Sequence, residues 1–315
     1  MTAIDAGDAA ILVAAETIDR LTNLDFPRRG AIAALHEEAR RLVGEPLGLA
    51  AAREALARTP DGAVIAILTG FPEFPWIRRG VAETDGPVGA AVLARSFIKA
   101  RQAIPILPCE PHFAPVIEAA VRGIGLTPIA GAGLDTKSVH PGDPVCLIEA
   151  TSDPIDAHRW LAARAPALVI AIERPGRAST GVYHSMSGRD VSHCLNNFED
   201  LFLGAAAAGT WTIGIGDGGI AAESVAASLV TAVVANFGAT AIAAAMALLT
   251  GRFDVLPTAS LELRALEASV AAGGVDGQHN ECVASIDGLA APVYGAVLTL
   301  ITDAVDRVLR ERSAS

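Results

Sequence analysis

Between residues 10 and 58 apolar positions recur at mixed spacings, many of three or four residues: Ile11, Leu12, Ile18, Leu21, Ile32, Leu35 and Leu42. That spacing predicts helices with one buried face. Pro27 and the following Arg28-Arg29-Gly30 break the run and predict a turn between helices. From Ala63 onward the texture changes to short apolar runs closed by glycine or polar residues. They are AVIAIL (63–68), IPIL (104–107), PVCLIEA (144–150), ALVIAIE (167–173), TIGIG (212–216) and TAVVAN (231–236). Each reads as a strand. Helix-like stretches lie between them at 88–100, 113–123, 155–163, 197–208 and 239–249, and two more close the chain at 260–271 and 292–310. Strands alternating with helices predict an α/β fold with a largely parallel sheet covered by helices. Residues 1–315 read as one such unit, and the length accommodates either one large domain or two intimate lobes. With two lobes, the crossover falls in the turn-rich segment 131–144, GAGLDTKSVHPGDP.

Mean hydropathy is +0.41, and no charge interrupts the chain between Glu223 and Arg252, which raises the question of a membrane span. Alanine supplies much of that apolarity, and Thr231, Asn236, Gly238 and Thr240 interrupt it. The stretch therefore reads as a closely packed internal strand and helix, with no membrane partner. With 51% hydrophobic and 19% charged residues, the chain can bury a large core, which excludes a disordered chain. Twenty-four basic against 35 acidic residues leave a net charge of −11, which argues against nucleic acid as a partner. Cys109, Cys146, Cys194 and Cys282 are widely spaced and form no CxxC pair, so they read as small buried hydrophobes of a reducing compartment. The beginning MTAIDAGDAA carries no basic region before its apolar run, so it is not read as a secretory signal and a cytoplasmic location is expected.

Several strand candidates end in residues that could carry chemistry. Thr69-Gly70 follows AVIAIL, Glu173-Arg174 follows ALVIAI, Asp217-Gly218-Gly219 follows TIGIG, and Asn236 follows TAVVA. In a parallel sheet the loops at the carboxyl ends surround the ligand crevice, so these places are expected to converge. GIGDGG (214–219) offers backbone N–H groups, close approach and one carboxylate, Asp217. It does not open the first βα unit and has no acid about 20 residues on, so no nucleotide cofactor is expected. Asp85 in TDGP, leading into a helix, ranks first among the other glycine-flanked acids, Asp276 and Asp287 being equally good turn residues. Arg174 and Arg177 could clamp a carboxylate or form structural Arg–Glu pairs, and the residues leave both readings open. Neither a GxSxG elbow nor a catalytic cysteine signature is present, so covalent catalysis has no support.

Ordered blocks across most of the chain resemble the D-glutamate cyclase family. They are TGF (69–71), TDGPVGA (84–90), ERPGRA (173–178) with VYHSMSGRDVS (182–192), GIGDGG (214–219), VANFGATA (234–241) and GGVDG (273–277). The resemblance implies a lyase that reversibly cyclises D-glutamate, or a related small amino acid, to the lactam 5-oxo-D-proline with loss of water. At the positions it picks out, residue chemistry puts Asp217, Asn236 and Glu173 in catalysis, and Arg174, Thr69, Gly218 and Gly219 in substrate binding. Asp85 and Asp217 would hold Mg²⁺ or Mn²⁺. Where the family pattern continues GDGG with Asn-Glu, this chain has Ile220-Ala221, and Phe237 and Ala239 replace a Trp and a second Gly. Two other readings stay open: an Mg²⁺- or Mn²⁺-dependent hydrolase, phosphate esters included, and a non-catalytic small-molecule-binding relative. The expected partner is a small-molecule substrate, with self-association into a homo-oligomer left open.

Overall fold

The computed structural model describes residues 6–28, 30–76, 80–217 and 226–314. Three helices lead in: α1 (Ala6–Thr22), α2 (Ile32–Val43) and α3 (Leu47–Arg58). The first sheet strand, β1 (Val64–Thr69), runs into a short antiparallel pair, β2 (Pro72–Glu73) and β3 (Val81–Ala82), and then α4 (Pro87–Arg101). The alternation continues through β4 (Ile104–Cys109), α5 (Ala114–Gly123), β5 (Thr127–Ala130), β6 (Val145–Ala150), α6 (Ala157–Arg164), β7 (Leu168–Ile172), α7 (Glu199–Ala207) and β8 (Trp211–Gly216). It ends with β9 (Ser228–Thr231), α8 (Ala235–Thr250), α9 (Ala259–Ala271), the hairpin of β10 (Ser285–Ile286) and β11 (Leu289–Ala290), and α10 (Ala291–Ala314).

Seven strands form one sheet in the order β5-β6-β4-β1-β7-β8-β9, every pairing parallel. Segment 131–144 connects β5 to β6, neighbours in that sheet. The apolar runs show why both faces must be covered. Along β1, Ile65 and Ile67 join the main core while Ala66 and Leu68 face a second cluster, and β7 divides in the same way. Side chains in a strand alternate between faces, so an uninterrupted apolar run demands helices on each. The second cluster is closed by Phe198, Leu201, Phe202 and Ala205 on and just before α7, with Trp160 and Leu161 of α6 against it. The main core is sealed by the remaining long helices, among which α4 and α8 are nearly wholly buried.

The uncharged segment thus becomes β9 followed by α8, whose residues from Ala235 to Leu248 are all buried. No helix among the described residues is long and apolar enough to cross a membrane. Two local expectations are corrected. TAVVAN is not a strand: β9 ends at Thr231, Val234 is the N-cap of α8, and Asn236 lies in the first helical turn. Of the four cysteines, Cys282 is exposed while the other three are buried.

Where α8, α9 and α10 meet, Glu262 is fully enclosed and accepts hydrogen bonds from Thr240 Oγ1 at 2.9 Å and Tyr294 OH at 3.1 Å. Tyr294 stacks on Phe237 with ring centroids 4.8 Å apart. Burial pushes the Glu262 carboxyl up to about 8, against the opposing pull of those hydrogen bonds and of Arg95. The folded protein therefore keeps a proton here that the unfolded chain, with a carboxyl near 4.5, gives up. Stability falls as pH rises through that window. Glu262→Gln does not titrate, so its stability relative to wild type should increase steadily between pH 5 and pH 8. Urea unfolding of both proteins at the two pH values checks this, and parallel curves would contradict it.

Candidate active site

The sheet order creates the crevice. From β1 the chain crosses to β4 on one side, and it later returns to place β7 on the other side of β1. Loops leaving the carboxyl ends of β1 and β7 diverge at that reversal. Thr69 closes β1, Glu173 follows β7 and Asp217 follows β8, so three of the expected positions do meet at one edge.

Behind them the N-termini of α4 and α8 are tied together by an exchange of caps. The Asp85 carboxylate accepts from the backbone N–H groups of Ala235 at 2.7 Å and Asn236 at 2.8 Å, in the first turn of α8. In return, Asn236 Oδ1 accepts from the N–H groups of Gly86 at 3.0 Å and Gly89 at 2.6 Å, at the start of α4. Asn236 Nδ2 donates to the Thr84 carbonyl at 3.1 Å. Neither helix carries a side-chain cap from its own N-cap residue, so each obtains its missing acceptor about 150 residues away in sequence. The packing leaves no room for a side chain at Gly86, where φ is +92° and a Cβ would stand 2.5 Å from Thr69 Oγ1.

Asp85 also belongs to a group of acids. Oxygens of Asp85, Asp217 and Asp287 lie within 4.8 Å of one another, and all three residues are buried. Asp287 and Gly288 form the two-residue turn between β10 and β11, both with positive φ, +49° and +79°. This is the backbone a type I′ hairpin needs, so the Asp-Gly dipeptide is a turn signal and a member of the cluster at once. Asp276 holds this loop in shape, accepting from the N–H groups of Gln278, His279 and Gly288 and from the Ser285 hydroxyl.

A cavity of about 290 Å³ opens in front of the aspartates. Glu73, Glu83, Glu173, Asp217 and Asp287 line it, with Phe71, Trp76, Ser185, Ser187, Arg189, Gln278 and Asn280. Glu83 is 5% exposed, and its Oε1 has no hydrogen-bond partner among the described residues. Burial first, then the charges of Asp287, Glu173, Asp85 and Glu73, drive the Glu83 carboxyl well above its usual range. Asp85 is raised to about 7 by burial and by Asp217, although the three N–H groups on it pull the other way. Glu73 is likewise raised to about 7, by burial and by Asp276.

An oxygen-only donor set suits a hard divalent cation such as Mg²⁺ or Mn²⁺. Ligand oxygens on opposite sides of such an ion stand roughly 4.2 Å apart, so the aspartate spacing fits with small side-chain adjustment.

Other expected residues are placed differently. Arg174 is not in the lining: its guanidinium is buried in a two-pronged pair with Glu110 at 2.6 and 2.8 Å, with further contacts to the Thr69, Gly70 and Asn196 carbonyls. Of the two readings open for it, the geometry builds the structural Arg–Glu pair. Arg177 is similarly paired with Glu199 and Asp200. Asn236 is wholly buried, with both ends of its amide engaged, and does not reach the cavity. Thr69 Oγ1 is buried against Gly86, with no hydrogen-bond partner among the described residues. Gly218, Gly219 and the departures at Ile220 and Ala221 lie outside the described residues. Sequence reasoning missed Glu73, Glu83 and Arg189. Two of them had a local clue: Arg189 lies inside the family-like block 182–192, and Glu83 directly precedes the block 84–90.

These features define a doubly wound α/β protein with an acid-lined cavity at its topological switch point. The family model for the D-glutamate cyclase-like, C-terminal domain matches residues 18–224 and 220–302, and the chain belongs to that family. It is similar to the mitochondrial D-glutamate cyclase of Homo sapiens, with 29% identity over 161 residues covering 49% of this chain. The match spans 24% of the length of that relative.

Removing the Asn236 amide would leave the enclosed Gly89 N–H without its acceptor, the Gly86 N–H with Asp85 alone and the Thr84 carbonyl without its donor. Asn236→Ala should therefore lower folding stability by about 2–4 kcal/mol, with an unchanged denaturant slope. A urea midpoint within error of wild type would show that the exchange of caps carries no weight.

Proposed function

We propose that this protein is a metal-dependent lyase that closes D-glutamate, or a close amino-acid analogue, to its five-membered lactam. The single observation that carries the reading is the converging triad Asp85, Asp217 and Asp287 behind a small acid-lined cavity, in a chain of the D-glutamate cyclase-like family.

Lactam formation joins the substrate nitrogen to the side-chain carboxyl carbon and breaks a carbon–oxygen bond. The nitrogen loses protons, and the oxygen departs as water. Asp85, Asp217 and Asp287 would hold the cation, which when bound supplies Lewis-acid polarisation of the reacting carboxyl. Glu173, on the cavity wall beside this triad, is the acceptor for the amine proton. Glu83 is the donor to the departing oxygen, because it is buried, faces the cavity and keeps an oxygen without a partner among the described residues. Asn236 has no direct role and acts as a positioning residue through Asp85. Phe71, Pro75 and Trp76 add apolar surface to the cavity lining.

The oxygen-only triad also suits a metal-dependent hydrolase, and a panel of phosphate esters and amides assayed with the same protein separates the two activities.

Incubation of the protein with D-glutamate and Mn²⁺ should release 5-oxo-D-proline, measured by chiral chromatography. Asp217→Asn keeps the shape of the side chain but lowers its charge and basicity. Turnover should fall by about 10²-fold or more, and the rise in melting temperature on adding Mn²⁺ should disappear. Failure of wild type to convert D-glutamate would refute the cyclase reading. Full activity after exhaustive chelation would remove the metal from it.

A further inference from the structure

An acid-rich cavity is a poor host for a substrate that keeps a carboxylate from beginning to end. In the cyclisation proposed above, only the side-chain carboxyl reacts. The α-carboxylate is present in D-glutamate and persists in 5-oxo-D-proline, so the ionised acids of the lining would repel it throughout unless a cation received it. Arg174 cannot serve, because Glu110 already occupies both prongs of its guanidinium.

Arg189 is the one cationic side chain among the described residues that line the cavity. No carboxylate among those residues lies within ion-pair distance of it. Its guanidinium carbon sits 4.9 Å from the centre of the Trp76 ring, which also lines the cavity. A guanidinium stacked on an aromatic ring has its plane fixed while its N–H edge stays available for the two oxygens of a carboxylate. The backbone beneath it is ordered by a tight loop. The Ser185 N–H donates to the Arg189 carbonyl at 2.8 Å, the Gly188 N–H donates to the Ser185 carbonyl at 2.8 Å, and His184 bridges Asp190. The Ser185 and Ser187 hydroxyls, 2.9 Å apart, stand on the same wall.

We infer that Arg189 is the specificity-determining residue of this cavity, receiving the non-reacting α-carboxylate of an amino-acid substrate across from the metal-binding acids. The inference rests on the cyclase reading for the identity of the substrate, and on Arg189 itself for the carboxylate. The arrangement divides labour by charge: the acid wall takes the amine and the cation, and the Arg189 wall takes the anion. It also gives a chain with net charge −11 a receptor for the carboxylate of an amino acid that is itself a net anion.

The test compares wild type with Arg189→Met and Arg189→Lys in the presence of Mn²⁺. Titration calorimetry is run with 5-oxo-D-proline and with its primary amide, which lacks the charge, and melting temperatures confirm that each variant is folded. Wild type should prefer the acid. In Arg189→Met the acid should weaken by about 10- to 100-fold while the amide binds as before, and Arg189→Lys should fall between. With D-glutamate, KM should rise by a similar factor while kcat changes only a few-fold. An acid-over-amide preference that survives in Arg189→Met overturns the assignment, and if wild type still cyclises D-glutamate the functional reading stands without it. A preference lost in Arg189→Met while wild type turns over no D-glutamate supports the carboxylate site and sinks the cyclase reading. Wild type binding neither ligand overturns both.

Discussion

The exchange of caps between Asp85 and Asn236 is the constraint on which the rest of the site depends. Two buried helix N-termini meet with their N–H groups unsatisfied, and each is completed by a side chain from the other. The positive ends of both helix dipoles then face the same small volume, and this is where Asp217 and Asp287 gather beside Asp85. Carboxylates are stabilised by such an environment, but helix dipoles and three N–H groups do not cancel the cost of enclosing them. Asp85 is still raised to about 7. A cluster in this condition either holds protons or holds a cation.

The same exchange explains where sequence reading succeeded and where it stopped. The alternation of apolar runs with helical stretches is a local signal, and five of the six strand candidates fall on β1, β4, β6, β7 and β8. TAVVAN failed because its apolar letters suit a strand equally well, while the event that starts α8 at Ala235 is a bond from Asp85, 150 residues earlier. Strand β5 was missed because Thr127, Pro128 and Ala130 give an edge strand no apolar alternation. Thr69, Glu173 and Asp217 could be placed at one sheet edge because parallel topology brings strand ends together. Glu83 and Asp287 could not, since their approach depends on segment 273–288 docking on the chain after β3 through the Thr84 and Val275 backbones. Arg174 shows the opposite limit: its position beside Glu173 was legible, but its partner Glu110 lies at the end of a different strand.

Phe237, one of the departures from the family pattern, gains meaning from its surroundings. Its ring stacks on Tyr294, whose hydroxyl donates to Glu262, and Glu262 also accepts from Thr240 in α8. The substitution is thus absorbed by an apolar and hydrogen-bonded joint behind the exchange of caps, at a distance from the cavity lining. Ala239, the other departure on this helix, has its Cβ 3.1 Å from where a side chain on Gly89 would begin. Both positions tune how closely α8 approaches α4 and α10, and neither supplies a reactive group.

Rigid and adaptable parts are separated within the site in a way that fits its chemistry. Asp85 is held by N–H groups at the starts of two helices, whereas Glu173 and Asp287 sit at positive φ, +42° and +49°, a conformation that costs a non-glycine residue about 1 kcal/mol or more. Such backbone persists only where neighbouring structure over-determines it. At Glu173 the N–H donates to the Ile215 carbonyl of β8, and at Asp287 the hairpin and Asp276 close the turn. The strain turns both carboxylates toward one volume instead of letting them separate, against their mutual repulsion. The opposite wall, carrying Ser185, Ser187 and Arg189, is a largely exposed loop held by its own backbone hydrogen bonds. Charge placement is therefore built on helix ends and strained strand ends, and the carboxylate recognition proposed for Arg189 is built on an exposed loop.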